Sequence, residues 1–289
     1  MTHTLIANNF RDTLCPLCMA ENIHKVGDIS YLQPIRFSTK EIELEVIPEL
    51  WKCSACDSSF VQNRVPESMA ISLYSQGESA GRWSGNPFTL QKPTNQIGCL
   101  AKYFLKGKKV LDIGCNTGEL LDYAKTLGCE TAGVEYSKSS RRVLEKKRHL
   151  AFSSMFEVTQ KFDVVTAFDL VEHLYDVPAF FHACRNMLKK DGMLIILTGN
   201  IGSLSARLSK ARWWYLKYPE HIVFPSKKYC ASCAGYEIHE WIKTYASTGY
   251  QHPVWYSIRR ARHGILDGTF TGLPSIGPDH ILAVMKRVD

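Results

Sequence analysis

From Lys109 onward, short apolar runs alternate with amphipathic stretches. KVLDIG is a compact apolar run that predicts a strand, and GELLDYAKTLG places apolar residues at helical spacing and closes on Gly128. ETAGVEYS predicts a second strand and SSRRVLEKKRHL a second helix. KFDVVTAFDL carries no polar alternation, as expected of a strand covered on both faces of a parallel sheet. VPAFFHACRNMLKK reads as the next helix, with Pro178 near its start, and GMLIILTG as another strand. GYEIHEWIKTY and HILAVMKR close the chain as two more strands, with residues 247–279 inserted between them. This order predicts an α/β fold: a Rossmann-like, doubly wound, mainly parallel sheet over 109–289.

The chain before Lys109 follows a different pattern. Residues 1–65 hold two cysteine pairs and few helical periods, and ELEVI (43–47) alternates as a strand does. Residues 66–108 read as a connector rich in Gly and Pro, with a short helix at AISLYS. Cys15-Pro-Leu-Cys18 and Cys53-Ser-Ala-Cys56 are two C-x-x-C pairs 34 residues apart. Four thiolates at such spacing can close a tetrahedral shell around one zinc, and the segment between them can hold a small sheet as zinc ribbons do. A closed shell leaves no open position, so the zinc is expected to be structural, contributing roughly 10–16 kcal/mol in apparent terms to a module too small to stand alone. A third pair, Cys230-Ala-Ser-Cys233, lies in SKKYCASCAG, which reads as a helix ending at Gly235. It has no second pair, so core packing is expected for it, as for Cys99, Cys129 and Cys184.

Composition narrows the classes. The chain has 289 residues, 45% hydrophobic and 22% charged, with a net charge of +7. That is enough apolar material for a core and excludes disorder, collagen or coiled coil as readings of the whole chain. No apolar run reaches the roughly 18–20 residues needed to span a bilayer, and MTHTLIANNFRD lacks the features of a signal peptide. A cytoplasmic protein is the expectation, in which ten cysteines suit metal ligands and core positions better than disulfides.

VLDIGCNTGELL runs from strand through a glycine turn into a helix. Gly114 and Gly118 allow a tight turn and close approach of a ligand, and the helix start offers free N–H groups. Glu135 ends the second strand 21 residues after Gly114, where a carboxylate can accept hydrogen bonds from ribose hydroxyls. The glycine spacing is not G-x-G-x-x-G and no G-K-[ST] follows, so neither a dehydrogenase nor a P-loop fits.

These motifs, with FDVVTAFDLVEHLYD and LKKDGMLIILTGN following in order, resemble class I S-adenosylmethionine (SAM)-dependent methyltransferases, whose sheet is seven-stranded. WWYLKYPEHIVFPS resembles a later signature of the ubiquinone-type and glycan-modifying branch, and the four-cysteine module is similar to that of sugar methyltransferases. Those sugar enzymes usually carry a longer C-terminal extension than this chain has. The resemblance implies that Asp112, Gly114, Cys115, Asn116 and Gly118 line the methionine part of SAM. Glu135 would hold the ribose, Tyr136, Ser154 and Met155 would flank the adenine, and Phe168 and Asp169 would sit near the sulfonium. Asn116 stands where the family's loop often has glycine, and asparagine tolerates left-handed backbone.

Methyl transfer to oxygen gains from a base that takes the acceptor's proton, and two histidines are candidates. His173 follows the fourth strand in Asp169-Leu-Val-Glu172-His173, and His221 follows Pro219-Glu220. Ubiquinone-type enzymes have a similar E-x-x-E-H string that can hold a divalent metal. Here Asp169, a shorter side chain, replaces the first glutamate. The basic, aromatic stretch 203–218 has two readings. It could form a lid whose Trp213, Trp214 and Tyr215 stack on an acceptor or whose surface meets a membrane, or it could pack on the core with a solvated basic side. The acceptor expected is a small molecule or glycan, foremost a sugar hydroxyl in polysaccharide or natural-product biosynthesis. Against an RNA methyltransferase stand six basic and eight acidic residues in 1–65, a poor footprint for phosphate. Against a non-catalytic zinc scaffold stands the intact set Asp112, Gly114, Gly118 and Glu135.

Overall fold

A computed structural model of the chain describes residues 4–29, 35–37, 40–76, 100–216, 220–244 and 277–289. Its main body is a seven-stranded sheet of β7 (Lys109–Ile113), β8 (Glu130–Val134), β9 (Leu150–Phe152), β10 (Phe162–Phe168), β11 (Leu188–Gly199), β13 (Tyr236–Thr244) and β14 (His280–Arg287), in the order β13-β14-β11-β10-β7-β8-β9. The five strands from β11 to β9 run parallel, and β14 is antiparallel to both β11 and β13. In β7 Val110 to Ile113 are all buried, so both sheet faces are covered, as the unbroken apolar runs predicted. Chain order reverses between β7 and β10. Connections leave these neighbours in opposite directions and open a crevice at their C-terminal ends.

The helices follow the predicted periods. They are α1 (Glu67–Gln76), α2 (Glu119–Thr126), α3 (Lys138–Lys146), α4 (Val177–Met187), α5 (Leu204–Ser209) and α6 (Lys227–Ser232). Asp176 caps α4 by accepting from the Ala179 N–H at 2.9 Å, with Pro178 in the first turn. Several boundaries differ from expectation. The helix expected through Leu150 ends at Lys146, and Leu150 opens β9. LKK belongs to β11 rather than to α4, because Leu188 already pairs with Phe162 in the sheet. The Ala-Ser-Cys end of SKKYCASCAG leaves the helix at Ser232, with Gly235 at φ 80 beyond it. β9 has three residues, too few to show a period, and sequence patterning does not predict it.

The N-terminal segment forms a small sheet from β2 (Ile23–Asp28), β5 (Glu49–Cys53) and β6 (Ser59–Gln62), beside a second sheet of β1 (Thr4–Ile6), β3 (Ile35–Phe37) and β4 (Lys40–Leu44). β4 stops short of the expected Ile47. The Asn8 side chain takes both backbone groups of Val46, donating to its carbonyl and accepting from its N–H, and so turns the chain. The β2-β5-β6 sheet gains a fourth strand from far along the chain: β12 (Val223–Phe224) pairs with Phe60 and Ser59. Cys15, Leu50 and Phe60 accordingly share one apolar core with Phe181, Trp213 and Phe224. Cys99 and the proposed insertion lie outside the described residues, apart from 277–279 at its end, as does 77–99 of the connector.

Of the two readings of 203–218, core packing with an exposed basic side holds over the described residues. The aromatic residues of 203–216 do not present a stacking surface: Trp213 and Tyr215 are buried in the core, and half-buried Trp214 donates its indole N–H to Asp279. Leu204, Arg207, Leu208, Lys210 and Arg212 are the exposed members of this stretch. Among the described residues, no helix is long and apolar enough to cross a membrane.

Candidate active site

The glycine loop after β7 lies at the crevice between β7 and β10. Gly114, Asn116 and Gly118 all adopt left-handed backbone, with φ of 74°, 48° and 81°. Asparagine is the non-glycine residue best suited to that region, so Asn116 preserves the turn. A Cβ at Gly118 would come 2.5 Å from Leu144, and one at Gly114 would meet Leu170 at 3.2 Å. Glu135 braces the loop from the end of β8: its carboxylate accepts from the Asn116 N–H at 2.9 Å and the Ser137 N–H at 2.8 Å. Arg141 in turn donates to the Glu135 and Tyr136 carbonyls.

Asp112 is buried at the end of β7 and accepts from the Thr166 hydroxyl at 2.7 Å. Burial pushes its carboxyl up to about 7, and the charges of Glu119 and Glu135 add to the effect. Burial likewise raises Glu135. Three carboxylates around one glycine loop form a site suited to a cationic ligand. Glu119, at the start of α2, belongs to it, and no spacing rule in the sequence marks it. The Cys115 side chain is buried in the core, so only its backbone can face a ligand in the loop. At the adjoining strand ends Tyr136 is exposed, Ser154 caps a 3-10 turn over Met155–Glu157, and Phe156 in that turn is 95% exposed.

The second half of the site follows β10. Phe168 ends the strand, and Asp169 turns out of it at φ 47°. Leu170 carries the chain against Gly114 into a 3-10 turn, Val171–His173. Glu172 is inaccessible to solvent and accepts from Thr198 Oγ1 at 2.8 Å and from the Tyr215 hydroxyl, which also donates to Asp169 at 3.2 Å. Burial raises the Glu172 carboxyl, and the charge of Asp169 raises it further.

His173 and His221, 48 residues apart in sequence, come together here with ring centroids 4.8 Å apart. His221 Nδ1 lies 2.7 Å from the Tyr215 carbonyl and His173 Nδ1 lies 2.8 Å from the Glu220 carbonyl. A carbonyl only accepts, so Nδ1 carries the proton in both rings. In each neutral imidazole the lone pair is left on Nε2. Tyr74 of α1 packs its ring edge-on against His173 and places its hydroxyl 3.0 Å from Nδ1. No sequence signal marks Tyr74, since only the fold brings it across from the connector. Glu172, His173 and His221 offer ligand atoms within 4.8 Å of one another, so the cation-capable group here pairs the Glu-His dipeptide with His221 rather than with Asp169.

Cys15, Cys18, Cys53 and Cys56 converge at the base of the small sheet. Cys15 and Cys56 sulfurs are 3.8 Å apart, and those of Cys18 and Cys53 are 3.7 Å apart. A tetrahedron with Zn–S bonds of about 2.3 Å has edges of about 3.8 Å, so the thiols stand at the spacing one zinc would need. Each pair forms the same knuckle: the N–H after the second cysteine, of Met19 or Asp57, returns to the carbonyl of the first, with φ of 61° in both. The hydrogen bond from the Cys15 thiol, aided by Ser58, draws the Cys56 thiol below the ordinary thiol range, so the shared Cys15–Cys56 pair gives up one proton readily. Cys230 and Cys233 have no such geometry. Cys230 is buried and Cys233 turns its thiol to the Tyr229 carbonyl, as core packing predicts.

Residues 90–240 match the family model described as a methyltransferase domain. The chain belongs to the class I SAM-dependent methyltransferases. Among curated relatives it is 35% identical to a ubiquinone biosynthesis O-methyltransferase of Bradyrhizobium diazoefficiens, over 38% of this chain and 45% of that protein. It is 34% identical to the mitochondrial ubiquinone biosynthesis O-methyltransferase of Bos taurus, over 36% of this chain and 32% of that one. The chain thus spans less than half the length of these relatives. A solved SAM-dependent methyltransferase from Archaeoglobus fulgidus superposes with a TM-score of 0.45 at 19% identity, covering 66% of this chain and 92% of that one.

Proposed function

We propose that this methyltransferase transfers a methyl group from SAM to a hydroxyl of a small-molecule acceptor, with the His173–His221 pair taking the proton. The observation that carries this reading is the fixed tautomer of both rings, which leaves Nε2 as the basic atom of each at the C-terminal end of β10. Bound in the glycine loop, SAM supplies a methyl group already activated on its sulfonium. The three carboxylates suit its positive charge, and the left-handed turn at Gly114, Asn116 and Gly118 leaves the loop's backbone to border it. Glu135 would hold the ribose, Asp112, Gly114, Asn116 and Gly118 would border the methionine part, and Tyr136, Ser154 and Met155 would flank the adenine. Phe168 and Asp169 would stand at the reacting end.

Orientation of the acceptor oxygen in line with the methyl group supplies much of the rate, and the histidine accepts the hydroxyl proton as the new bond forms. The buried Glu172, tied to Tyr215 and Thr198, holds the 3-10 turn that presents His173. The names of the two relatives described above point to O-methylation in ubiquinone biosynthesis, and neither names a glycan. The four-cysteine module supports the alternative sugar hydroxyl only through the resemblance described above. One zinc, held by Cys15, Cys18, Cys53 and Cys56, would serve structure rather than chemistry.

The test is transfer of isotopically labelled methyl from SAM to a panel of catechols and deoxysugar nucleotides, with His221→Ala and His173→Ala alongside. At least one variant should lose about 10²–10⁴-fold in turnover while S-adenosylhomocysteine (SAH) binds both variants as it binds wild type. Unchanged turnover in both variants would overturn the assignment of the base.

A further inference from the structure

The segment that carries His221 is tied along its length to the β10 turn or to the cysteine-bearing sheet. The Glu220 carbonyl accepts from His173. The Ile222 N–H donates to the Glu172 carbonyl at 2.7 Å, and the Ile222 carbonyl accepts from the Val61 N–H of β6 at 2.8 Å. Val223 and Phe224 then form β12 against Phe60 and Ser59. Ser226 ends the run on the cysteine knuckle itself: its N–H donates to Ser58 Oγ at 3.0 Å and its hydroxyl donates to the Cys56 carbonyl. The knuckle is fixed to the same strand, because the Cys53 N–H donates to the Ser58 carbonyl at 2.9 Å. Ile222, Val223 and Phe224 are buried, so none of these bonds is exchanged for water at low cost. His221 therefore sits on a short strap clamped between the β10 turn on one side and the cysteine-bearing sheet on the other. By contrast, among the described residues the bonds that brace the glycine loop come from β8 and the residues after it, with none from β6.

We propose that the four-cysteine centre is the positioning device for His221, with one zinc ion closing the shell, fixing β6, and through β6 and Ser226 fixing the strap. This rests on reading His221 as a member of the base pair. Zinc loss would leave the cofactor loop formed and displace the histidine, so the metal governs the acceptor half of the site alone. Cys56 and Ser226 act through the backbone of the strap and touch no reacting atom.

The experiment is amide hydrogen exchange on the full chain, zinc-loaded and after removal of zinc by a chelator, with metal content measured and SAH titrated by calorimetry on both. Exchange at Val61 and Ile222 should rise about tenfold or more on zinc removal, while Gly114–Gly118 amides and SAH affinity stay within about twofold. Ser226→Ala, which leaves all four thiols in place, should retain zinc and still speed exchange at Ile222. The proposal is overturned if Ile222 exchanges equally slowly without zinc, if the glycine loop loosens to the same extent, or if the folded chain binds no zinc. SAH titration of the zinc-loaded protein tests the methyltransferase reading separately, so the two failures are distinguishable.

Discussion

Asp112→Asn should make the protein more stable and worse at its task. Asp112 is buried, and its carboxyl stands at about 7 against an ordinary 3.8. A tenfold gain in proton affinity is worth about 1.4 kcal/mol, so the folded protein carries at most about 4 kcal/mol of ionisation cost above neutral pH. The sign follows from proton binding. Between the two values the folded state holds the proton more tightly than the unfolded chain does, so this group's contribution to stability declines as pH rises from about 4 to about 7. It is level on either side of that window. Asparagine keeps an oxygen for the Thr166 hydroxyl and never ionises. In urea denaturation at pH 5, 6, 7 and 8, the variant's stability advantage should widen with pH and level off above about 7, while its affinity for cationic SAM falls. A gap that is constant across this range, or a variant less stable than wild type at pH 8, would refute the reasoning.

Other substitutions probe the loop and the buried network. Gly118→Ala combines a left-handed backbone with a Cβ 2.5 Å from Leu144, and should cost about 2–4 kcal/mol by chemical denaturation. Asn116→Gly keeps the φ of 48° but removes the side-chain oxygen that accepts from the Ser140 hydroxyl at 3.0 Å, and should cost about 1 kcal/mol; no loss would show that the turn depends on the backbone tolerance of Asn116 alone. Tyr215→Phe removes the hydroxyl donor from two carboxylates, one of them fully buried, and should cost about 1–3 kcal/mol. A loss below about 0.5 kcal/mol would show that Glu172 does not depend on Tyr215.

The parallel sheet was legible because β7, β10 and the GMLIILTG part of β11 are short apolar stretches without regular polar alternation, and the loop because Gly114, Gly118 and Glu135 have chemistry tied to spacing. The cysteine shell was legible for the same reason. β9 was not, since three residues show no period. The burial of Trp213 and Tyr215 was hidden by their basic neighbours: in sequence, an aromatic flanked by Arg212 reads equally as lid and as core. The contact of Tyr74 with His173, and the strap from Cys56 to His221, join residues far apart in the chain, and no local pattern encodes either.

The proposed function requires that the glycine loop with Glu135 be a SAM site. Calorimetric titration of the folded protein with SAH, beside Glu135→Ala, tests it most directly. Wild type should bind SAH in the micromolar range, and the variant should lose about 100-fold or more. The variant gives up both the loop brace and the expected ribose contacts, each a hydrogen bond to a charged group. A folded wild type that does not bind SAH, or a variant that binds it equally well, would mean that SAM is not held by this loop and Glu135.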